Sequence, residues 1–313
     1  MSTTKPATGQ LSLFGLAPVA AAAPKPAPVA APRMSMELAL RQLKITGPAC
    51  ISFSGGRTSA FMLWLLLAAN GGRLPPDVHV IFANTGKEHP GTLHFVWQCG
   101  EFWGVPIVFL EYDGRGGMRD FREVTYETAS RDGQPFETAI QRKYALPNVA
   151  QRWCTQVLKV ERIRAFMRSR GYETWSDYVG LRADEPARVA KRRAAADDEV
   201  TYELPLAAIG VTVEHVRDFW SRQSFDLEIP SDAGNCTLCF MKGTGTIRDA
   251  IARDPAEADW WVEQERRTGR QFLKNTSFRE LRDSALVPIE RLTGRELAIA
   301  SNTDDARPCA CTD

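Results

Sequence analysis

The sequence predicts an α/β fold, in which helices cover both faces of a parallel β-sheet, plus a C-terminal, mostly helical region that contains cysteines. Three observations support this fold class. Short apolar runs alternate with helix-length segments from residue 49 onward. Glycine-rich or polar turns close these runs. Segments of helical length dominate after residue 245, beyond an irregular stretch that holds a cysteine pair.

The elements follow one another as strand, turn and helix. The first apolar run ends in Ser-Gly-Gly and leads into strong helix formers, and the second ends in Asn-Thr-Gly before a proline-started helix. The ligand-binding turns of a parallel sheet lie at the carboxyl ends of its strands, so both turns are expected on one rim. The predicted strands are residues 49–53, 78–83, 105–112 and 176–181; the predicted helices are 59–69, 90–103, 151–171, 212–222, 246–253, 255–268 and 277–285.

Three regions are predicted along the chain. Residues 1–33 are rich in Ala and Pro and lack the large apolar side chains that offset ordering entropy, so a disordered arm is expected. Residues 34–223 carry the α/β pattern and form the predicted nucleotide-binding domain. Residues 224–313 form the predicted cysteine-containing helical region.

Composition and charge limit the classes of protein. The 39 basic and 38 acidic residues nearly balance, so no overall field favours nucleic acid. The apolar run at residues 61–70 is too short to span a bilayer, and no membrane partner is expected. Seven unevenly placed cysteines without a secretory signal do not form a disulfide framework, so a cytoplasmic protein is expected.

The turn at residues 54–59, Ser-Gly-Gly-Arg-Thr-Ser, is the strongest candidate for a ligand site. Its glycines leave backbone N–H groups open to an anion, and the helix that follows presents its positive end. Arg57 adds a mobile cation. A plain glycine-rich turn is the alternative, but Ser54 and Ser59 flank the glycines with hydroxyl groups, which favours a phosphate-binding loop.

The cysteines fall into two groups. Cys50 and Cys99 lie in apolar stretches and are interpreted as small buried side chains. Cys236 and Cys239 form a Cys-x-x-Cys knuckle near glycines, which indicates metal or redox chemistry in a reducing compartment. One such pair cannot complete a metal site, so further ligands are needed.

Four motifs, taken in order, resemble the PP-loop ATP pyrophosphatases and, within them, the phosphoadenosine phosphosulfate (PAPS) reductase-like family. The resemblance spans roughly residues 45–240. The motifs are Ser54-Gly55-Gly56-Arg57-Thr58-Ser59; Phe82-Ala83-Asn84-Thr85-Gly86 with Glu88-His89-Pro90; Arg152-Trp153-Cys154 with Lys159; and Gly180-Leu181-Arg182-Ala183-Asp184-Glu185 with Arg188.

The resemblance implies an enzyme with an adenine nucleotide alpha hydrolase-like (Rossmann-like) fold. It implies that residues 54–59 hold the polyphosphate of ATP with Mg²⁺, or the phosphate of a sulfonucleotide, and that residues 82–86 border the adenosine. The catalytic roles that it implies fall on Arg57, Lys159 and Arg182, with Arg182 meeting the phosphates. His89 is the best-placed histidine, and the basic stretch at 191–193 is a candidate contact for a nucleic-acid backbone.

Relatives in this family carry iron-sulfur cysteines near Cys154, which makes Cys154 the implied third ligand beside Cys236 and Cys239. Three thiolates suit a 4Fe-4S cluster with one open iron, and a fourth ligand would come from Cys309 or Cys311, with Cys311 in the predicted set. Zinc in a closed four-thiolate site is the alternative.

Two departures from the family pattern bear on the reaction. ATP-cleaving members commonly have Lys-Asp where this chain has Arg57-Thr58, which removes an acidic group near magnesium. Sulfonucleotide reductases carry a Glu-Cys-Gly-Leu-His tail, whereas this chain ends Pro-Cys-Ala-Cys-Thr-Asp. The leading hypothesis is therefore ATP-dependent adenylylation coupled to sulfur transfer.

Two other functions stay open at this stage. One is a sulfonucleotide (PAPS or APS) reductase, and the other is a non-catalytic nucleotide or nucleic-acid binding protein with structural zinc. The expected partners of the enzyme are a nucleotide substrate, a sulfur donor protein or thioredoxin-like reductant, and a tRNA or DNA acceptor.

Overall fold

The computed structural model describes residues 41–117, 120–230, 232–234 and 236–302. The predicted N-terminal arm, Cys309 and Cys311 lie outside the described residues. One six-stranded sheet has the order β4-β3-β2-β1-β5-β6. Its neighbouring strands are parallel except for the antiparallel pair β3 and β4. The strands are β1 Ala49–Ser52, β2 Val78–Asn84, β3 Ile107–Glu111, β4 Arg122–Val124, β5 Trp175–Val179 and β6 Val200–Glu203.

In the described part of the chain, helices lie between and after the strands, which confirms the predicted α/β class. They are α1 Arg57–Ala69, α2 Pro90–Trp103, α3 Gln134–Lys143, α4 Trp153–Thr155, α5 Glu161–Ser169, α6 Pro186–Arg193, α7 Pro205–Ala208, α8 Val213–Trp220, α9 Thr244–Arg253, α10 Glu257–Thr268, α11 Phe278–Ala285 and α12 Gly294–Ser301. A π-helical turn, Gln156–Val160, joins α4 to α5, and a 3₁₀ turn spans Ile289–Arg291.

Alternate residues of the central strands face two different cores. Ile51 and Phe82 point to the side covered by the apolar helices α1 and α2. Cys50 and Ile81 belong to the opposite core with Phe166 of α5. Because both faces are covered, β1 and β2 are almost continuously buried.

The strand order reverses beside β1. The chain runs from β1 to β2 and β3 on one side, whereas β5 and β6 lie on the other side of β1. In parallel sheets, ligands bind at the carboxyl edge of such a switch point. The loop at residues 54–59 follows β1, and Gly180 follows β5, so both lie at this edge.

The predicted helix at residues 151–171 is observed as three segments: α4, the π-helical turn and α5. Turns of this kind occur mostly as single insertions in α-helices and often at functional sites. Sequence reasoning also missed β4, β6, α3, α6, α7 and α12, which are short or rich in polar residues. Helix α2, by contrast, has the predicted bounds, with Pro90 at its start and the left-handed Gly104 at its end.

The C-terminal helices pack around Trp261, Phe272 and Phe278, all fully buried. The same cluster includes Phe136 of α3 and Leu158 of the π-helical turn. One core therefore joins residues on both sides of the predicted boundary after residue 223, and that boundary stays a prediction. Each helix in the described part of the chain is too short or too polar to cross a membrane.

We expect Gly55→Ala to destabilise the protein more than Gly47→Ala. Both glycines have a positive φ, +82° and +79°, where a β-carbon costs about 1–2 kcal/mol. An added Cβ at Gly55 would lie 2.7 Å from Thr92 Cγ2, whereas Gly47 has no atom within 4 Å. Overpacking adds about 1–3 kcal/mol. Urea unfolding measures the loss of stability in both variants. Equal losses would contradict the close packing of this loop on α2.

Candidate functional site

The loop after β1 is held in shape by Ser59. Its Oγ accepts hydrogen bonds from Ser54 N at 3.2 Å and Ser54 Oγ at 2.9 Å, and donates to Gly56 O at 3.0 Å. Helix α1 begins directly after Gly56, and no side chain caps that end. The loop therefore combines free helix N–H groups, hydroxyls and a positive helix end, as a phosphate site requires.

The Arg57 side chain is paired, whereas the sequence suggested a mobile cation. Its Nε lies 2.7 Å from Asp226 Oδ1, and its Nη2 donates to Leu227 O at 2.6 Å. The indole of Trp220 donates to Arg57 O at 2.9 Å. The guanidinium thus ties α1 to the segment after α8, and Arg57 is not among the described residues that line the neighbouring cavity.

Arg182 lies beside the loop. Its Nη1 donates to Thr58 Oγ1 at 3.1 Å, and its Nε contacts Asp184 Oδ1 at 3.0 Å. Glu185 Oε2 accepts a hydrogen bond from Arg182 N at 3.0 Å. Two carboxylates and Thr58 therefore orient this arginine at the start of α1, and Arg182, like Arg57, is not among the described residues that line the cavity beside the loop.

A cavity opens beside the loop, on the face of the sheet that α5 covers. We call it the nucleotide cavity. Ser54 and Ser59 line it from the loop, Phe82 and Ala83 from β2, and Gly180 from the turn after β5. Its empty volume of about 990 Å³ includes open solvent.

Residues 82–86, at the end of β2 and in the turn after it, line the nucleotide cavity only in part. Phe82 and Ala83 line the nucleotide cavity, but Asn84, Thr85 and Gly86 do not. The Asn84 amide is buried and donates to Glu111 Oε1 at 2.6 Å and to a backbone carbonyl, while its Oδ1 accepts from Gly86 N at 3.0 Å. Of the five residues predicted to border the adenosine, only the first two therefore reach this cavity.

Two other candidates from the sequence are His89, which has a structural contact, and the basic stretch at 191–193, which lies partly at the nucleotide cavity. His89 caps α2, because its Nδ1 accepts from Gly91 N at 3.0 Å. Of the basic stretch, Arg192 lines the nucleotide cavity together with Arg188, and its guanidinium lies 4.5 Å from the ring centre of Tyr202. This positive charge faces the cavity rather than a separate surface.

A second cavity, which we call the thiol cavity, brings together three predicted ligands. Cys154, Cys236 and Cys239 line it together with Thr85 and Arg152. Its empty volume is about 430 Å³. The cysteines of the described chain are free thiols. Cys50 and Cys99 are fully buried in the sheet cores, and the fourth predicted ligand, Cys311, lies outside the described residues.

A buried ion pair borders the thiol cavity. Lys159 Nζ lies 3.4 Å from Glu88 Oε1, and the side chains are only 16% and 1% exposed. The other oxygen of Glu88 accepts from Thr85 N at 2.9 Å and Thr85 Oγ1 at 2.8 Å. The Thr85 hydroxyl in turn lies 3.5 Å from Cys236 Sγ. The lysine is therefore fixed between a carboxylate and the cysteines.

The cysteine turn is held from inside by Lys242. Its Nζ donates to Cys236 O at 3.1 Å and Thr237 O at 2.8 Å. Burial, together with the nearby Glu88 carboxylate, raises the pKa of the Cys236 thiol to about 12, and Lys159 opposes this shift. A metal at Cys236 must therefore displace a proton.

The fit of a metal group to these thiols depends on its size. Among the described residues, no set of three or more Cys, His, Asp or Glu side chains is close enough to hold a single metal ion. A four-iron cluster is wider than one ion, so thiols spread around one cavity can each bind a different iron. Arg152 and Lys159 bring positive charge to the cavity wall, and the Glu88 carboxylate offsets that of Lys159. The three thiols can thus be ligands of a cluster, whereas the fourth thiolate that a closed zinc site needs is not among the described residues that line this cavity.

The two cavities share a wall. Thr155 and Lys159 line both of them, and both residues belong to the segment of α4 and the π-helical turn. A π turn widens the helix locally and changes the direction of the side chains that follow. The two cavities therefore adjoin at these two residues.

Comparison with known proteins agrees with this arrangement. The family model of the phosphoadenosine phosphosulfate reductase domain matches residues 48–209, which cover β1 to α7. The chain belongs to this family. It is 33% identical over 204 residues to the uncharacterized nin region protein ORF290 of Escherichia phage lambda, covering 63% of this chain and 67% of that protein.

Two further matches are more distant. The chain is 28% identical over 151 residues to the uncharacterized protein MJ0066 of Methanocaldococcus jannaschii, covering 48% of this chain and 26% of that protein. The U34-tRNA thiolase NcsA from Methanococcus maripaludis, solved with its 4Fe-4S cluster, matches at 11% identity over 85% of this chain and 86% of that chain. The TM-score of 0.32 is too low for this likeness to support a shared function.

Sequence reasoning missed several polar residues of the nucleotide cavity, among them Asp177. Asp177 lies in β5 and lines the cavity, and Ser52 Oγ donates to its Oδ1 at 2.6 Å. The available signal was a charged residue in the middle of a strand that should be buried on both faces.

Proposed function

We propose that this protein uses ATP to adenylylate an acceptor and then replaces the activated oxygen with sulfur. The observation that carries the proposal is the wall of Thr155 and Lys159 that the nucleotide cavity and the thiol cavity share. Family membership supports a nucleotide in the first cavity, and the three cysteines support sulfur chemistry beside it.

The chemistry divides into two displacements. An acceptor oxygen attacks the α-phosphorus of ATP, the bond to the β-phosphate oxygen breaks, and pyrophosphate leaves with Mg²⁺. The N–H groups of residues 54–59 and the Arg182 guanidinium would stabilise the leaving charge. Hydrosulfide from a sulfur donor protein then attacks the acceptor carbon, and AMP leaves with the activated oxygen as the thiol loses its proton. The protein contributes mainly position and charge.

A 4Fe-4S cluster fits the thiol cavity as described above, with Cys154, Cys236 and Cys239 as its protein ligands. When bound, such a cluster supplies an open iron that can hold sulfur near the acceptor. Lys159 would orient the reacting groups from the shared wall, because Glu88 fixes its ammonium at 3.4 Å.

A sulfonucleotide reductase is the second candidate, and the family match favours it. In that reaction a thiolate attacks the sulfur of PAPS, the bond from sulfur to the phosphate oxygen breaks, and adenosine bisphosphate leaves. A thioredoxin-like dithiol then releases sulfite and becomes a disulfide. The same two cavities would hold nucleotide and thiol.

Anaerobic assays separate these functions. Calorimetry with ATP and Mg²⁺ and with PAPS tests the nucleotide, and pyrophosphate release in the presence of a tRNA pool or duplex DNA tests adenylylation. Thioredoxin-dependent release of sulfite from PAPS would support the reductase instead. Binding of neither nucleotide, in a colourless protein that contains zinc, would overturn both and favour a binding protein.

We expect Ser59→Ala to weaken ATP binding about tenfold to hundredfold, because the variant loses the hydroxyl that positions Ser54 and Gly56 for the phosphate, and hydrogen bonds to charged groups contribute about 1.5–3 kcal/mol. The matched control is Ser169→Ala, since Ser169 Oγ donates to Phe166 O at 2.7 Å and Ser169 lines neither cavity. Calorimetry measures both affinities, and thermal unfolding checks that both variants fold. Unchanged ATP affinity in Ser59→Ala would argue against a phosphate on this loop.

A further inference from the structure

A surface outside both cavities combines positive charge with an exposed aromatic ring. The loop at residues 113–117 follows β3, which is parallel to β2, so it lies at the carboxyl edge of the sheet, as the loop at residues 54–59 does. The end of α3 lies against this loop, because the Arg142 guanidinium donates a hydrogen bond to Gly114 O. We call the side chains of Arg115, Arg142, Lys143 and Tyr144 the α3 surface.

Tyr144 has a conformation and an exposure that the fold does not require. It follows the last turn of α3 with a φ of +50°, and the other described residues with a positive φ are glycines. A side chain in this region is strained, whereas glycine adopts it without cost. The Tyr144 side chain is 84% exposed, so packing does not offset the strain. A strained and exposed ring points to a partner outside the chain.

The cations of the α3 surface are open to solvent. Arg115 is 83% exposed, and Arg142 and Lys143 are also exposed. Arg115 Nε lies 3.2 Å from Asp113 Oδ2, but the Asp113 side chain is only 6% exposed. Lys143 has no ion-pair partner among the described residues. The surface therefore presents positive charge on both sides of the contact between the loop and α3.

The nearby carboxylates do not cancel this charge. Glu137, on α3, pairs with Arg267 of α10. Asp120, beyond the loop, lies 3.2 Å from Arg162 Nη1. Because each of these carboxylates has its own arginine, the α3 surface suits an anionic partner.

The α3 surface stands on the core that also borders the thiol cavity. Tyr112, just before the loop, and Leu146, just after Tyr144, belong to the same buried cluster as Leu158 and Cys239. Leu158 and Cys239 line the thiol cavity. A partner held on this surface therefore lies on the side of the molecule where the proposed sulfur transfer takes place.

We propose that the α3 surface binds an unpaired strand of nucleic acid. Arg115 and Lys143 contact its phosphates, and one base stacks on Tyr144. Cations with an interleaved exposed ring are the combination that single strands require, whereas the bases of a duplex are already stacked inside it. The inference rests on the proposed function and adds the surface that holds the acceptor.

The phosphate contacts are tested by fluorescence anisotropy with labelled oligo(dT), oligo(U) and a DNA duplex of equal length. The double variant Arg115→Ala with Lys143→Ala should bind strands about tenfold more weakly. Its slope of log affinity against log salt should fall by about 1.4, which is about 0.7 for each lost phosphate contact. The matched control, Lys44→Ala with Arg73→Ala, removes two exposed cations before β1 and β2, at the opposite edge of the sheet, and should bind as wild type.

The stacking contact is tested with Tyr144→Gly. This variant should bind strands about tenfold more weakly, as the loss of one stacked base predicts. Its melting temperature should not fall, because glycine tolerates the positive φ. Tyr144→Phe keeps a ring and should bind as wild type. Polyphosphate, which has no bases, should bind equally well to wild type and to Tyr144→Gly.

The outcomes separate this inference from the proposed function. Equal losses in the two double variants, wild-type affinity in Tyr144→Gly, or equal binding of strand and duplex would overturn the α3 surface. Wild type that binds ATP or PAPS but neither strand would overturn it alone. Wild type that binds strands but neither nucleotide would overturn the proposed function alone. Binding of either strand with the expected losses supports the inference, and the strand that binds more tightly identifies RNA or DNA.

Discussion

Replacing Lys159 with methionine is expected to remove activity and to lower the free energy of unfolding by about 3 kcal/mol. The change leaves the Glu88 carboxylate, which is 1% exposed, without its cation at 3.4 Å. The two hydrogen bonds from Thr85 to Glu88 remain, so the loss should stay at the lower end for a broken buried pair. Urea unfolding measures the stability, and pyrophosphate or sulfite release measures the activity.

The double variant Lys159→Met with Glu88→Gln separates the two effects. Removing both charges should restore most of the stability, because no buried charge is left unpaired. Activity should stay absent, because the cation of the shared wall is missing. Recovery of activity in the double variant would show that Lys159 only neutralises Glu88.

Replacing Cys236 with alanine is expected to remove most of the iron and labile sulfide from anaerobically reconstituted protein. Cys236 is one of three thiols that line the thiol cavity, and its loss leaves two thiols there for a cluster that is held by cysteine thiolates. Burial raises the pKa of this thiol to about 12, so reconstitution of wild-type protein should improve as pH rises and proton loss becomes easier.

Cys99→Ala is the matched control for the cysteine prediction. Cys99 is also fully buried, but it lies in the core between the sheet and α2. This variant should keep its iron. Equal iron content in both variants, or stoichiometric zinc in place of iron, would contradict the cluster assignment.

The sequence predicted the fold wherever a single element determines its own structure. The β1 turn and α1 could be predicted because Ser-Gly-Gly between an apolar run and helix formers has few other structures. Helix α2 was predicted with its observed bounds, because Pro90 and Gly104 mark its two ends. The strands β4 and β6 were missed because three or four mixed residues give no periodicity, and pairing with neighbours defines them.

The site was predictable only in part, because distant segments build it. Cys154 and the cysteine pair are about 80 positions apart, and the family resemblance rather than any local pattern linked them. Arg57 pairs with Asp226, which lies 169 positions further along the chain. No local pattern could therefore predict that Arg57 lies outside the cavity lining. The Asn84 amide donates to Glu111 on the neighbouring strand and so does not face the nucleotide cavity; only the pairing of the two strands brings these residues together.

The π-helical turn has a consequence for thermodynamic linkage. Thr155 and Lys159 belong to one short stretch of backbone, so a displacement of this stretch alters both chambers together. If a ligand in one cavity favours one arrangement of the turn, it changes the affinity of the other cavity for its own ligand. The ligand of that second cavity then changes the affinity of the first cavity by the same factor. Under the proposed function, such reciprocity would couple binding of the sulfur source to binding of the activated acceptor.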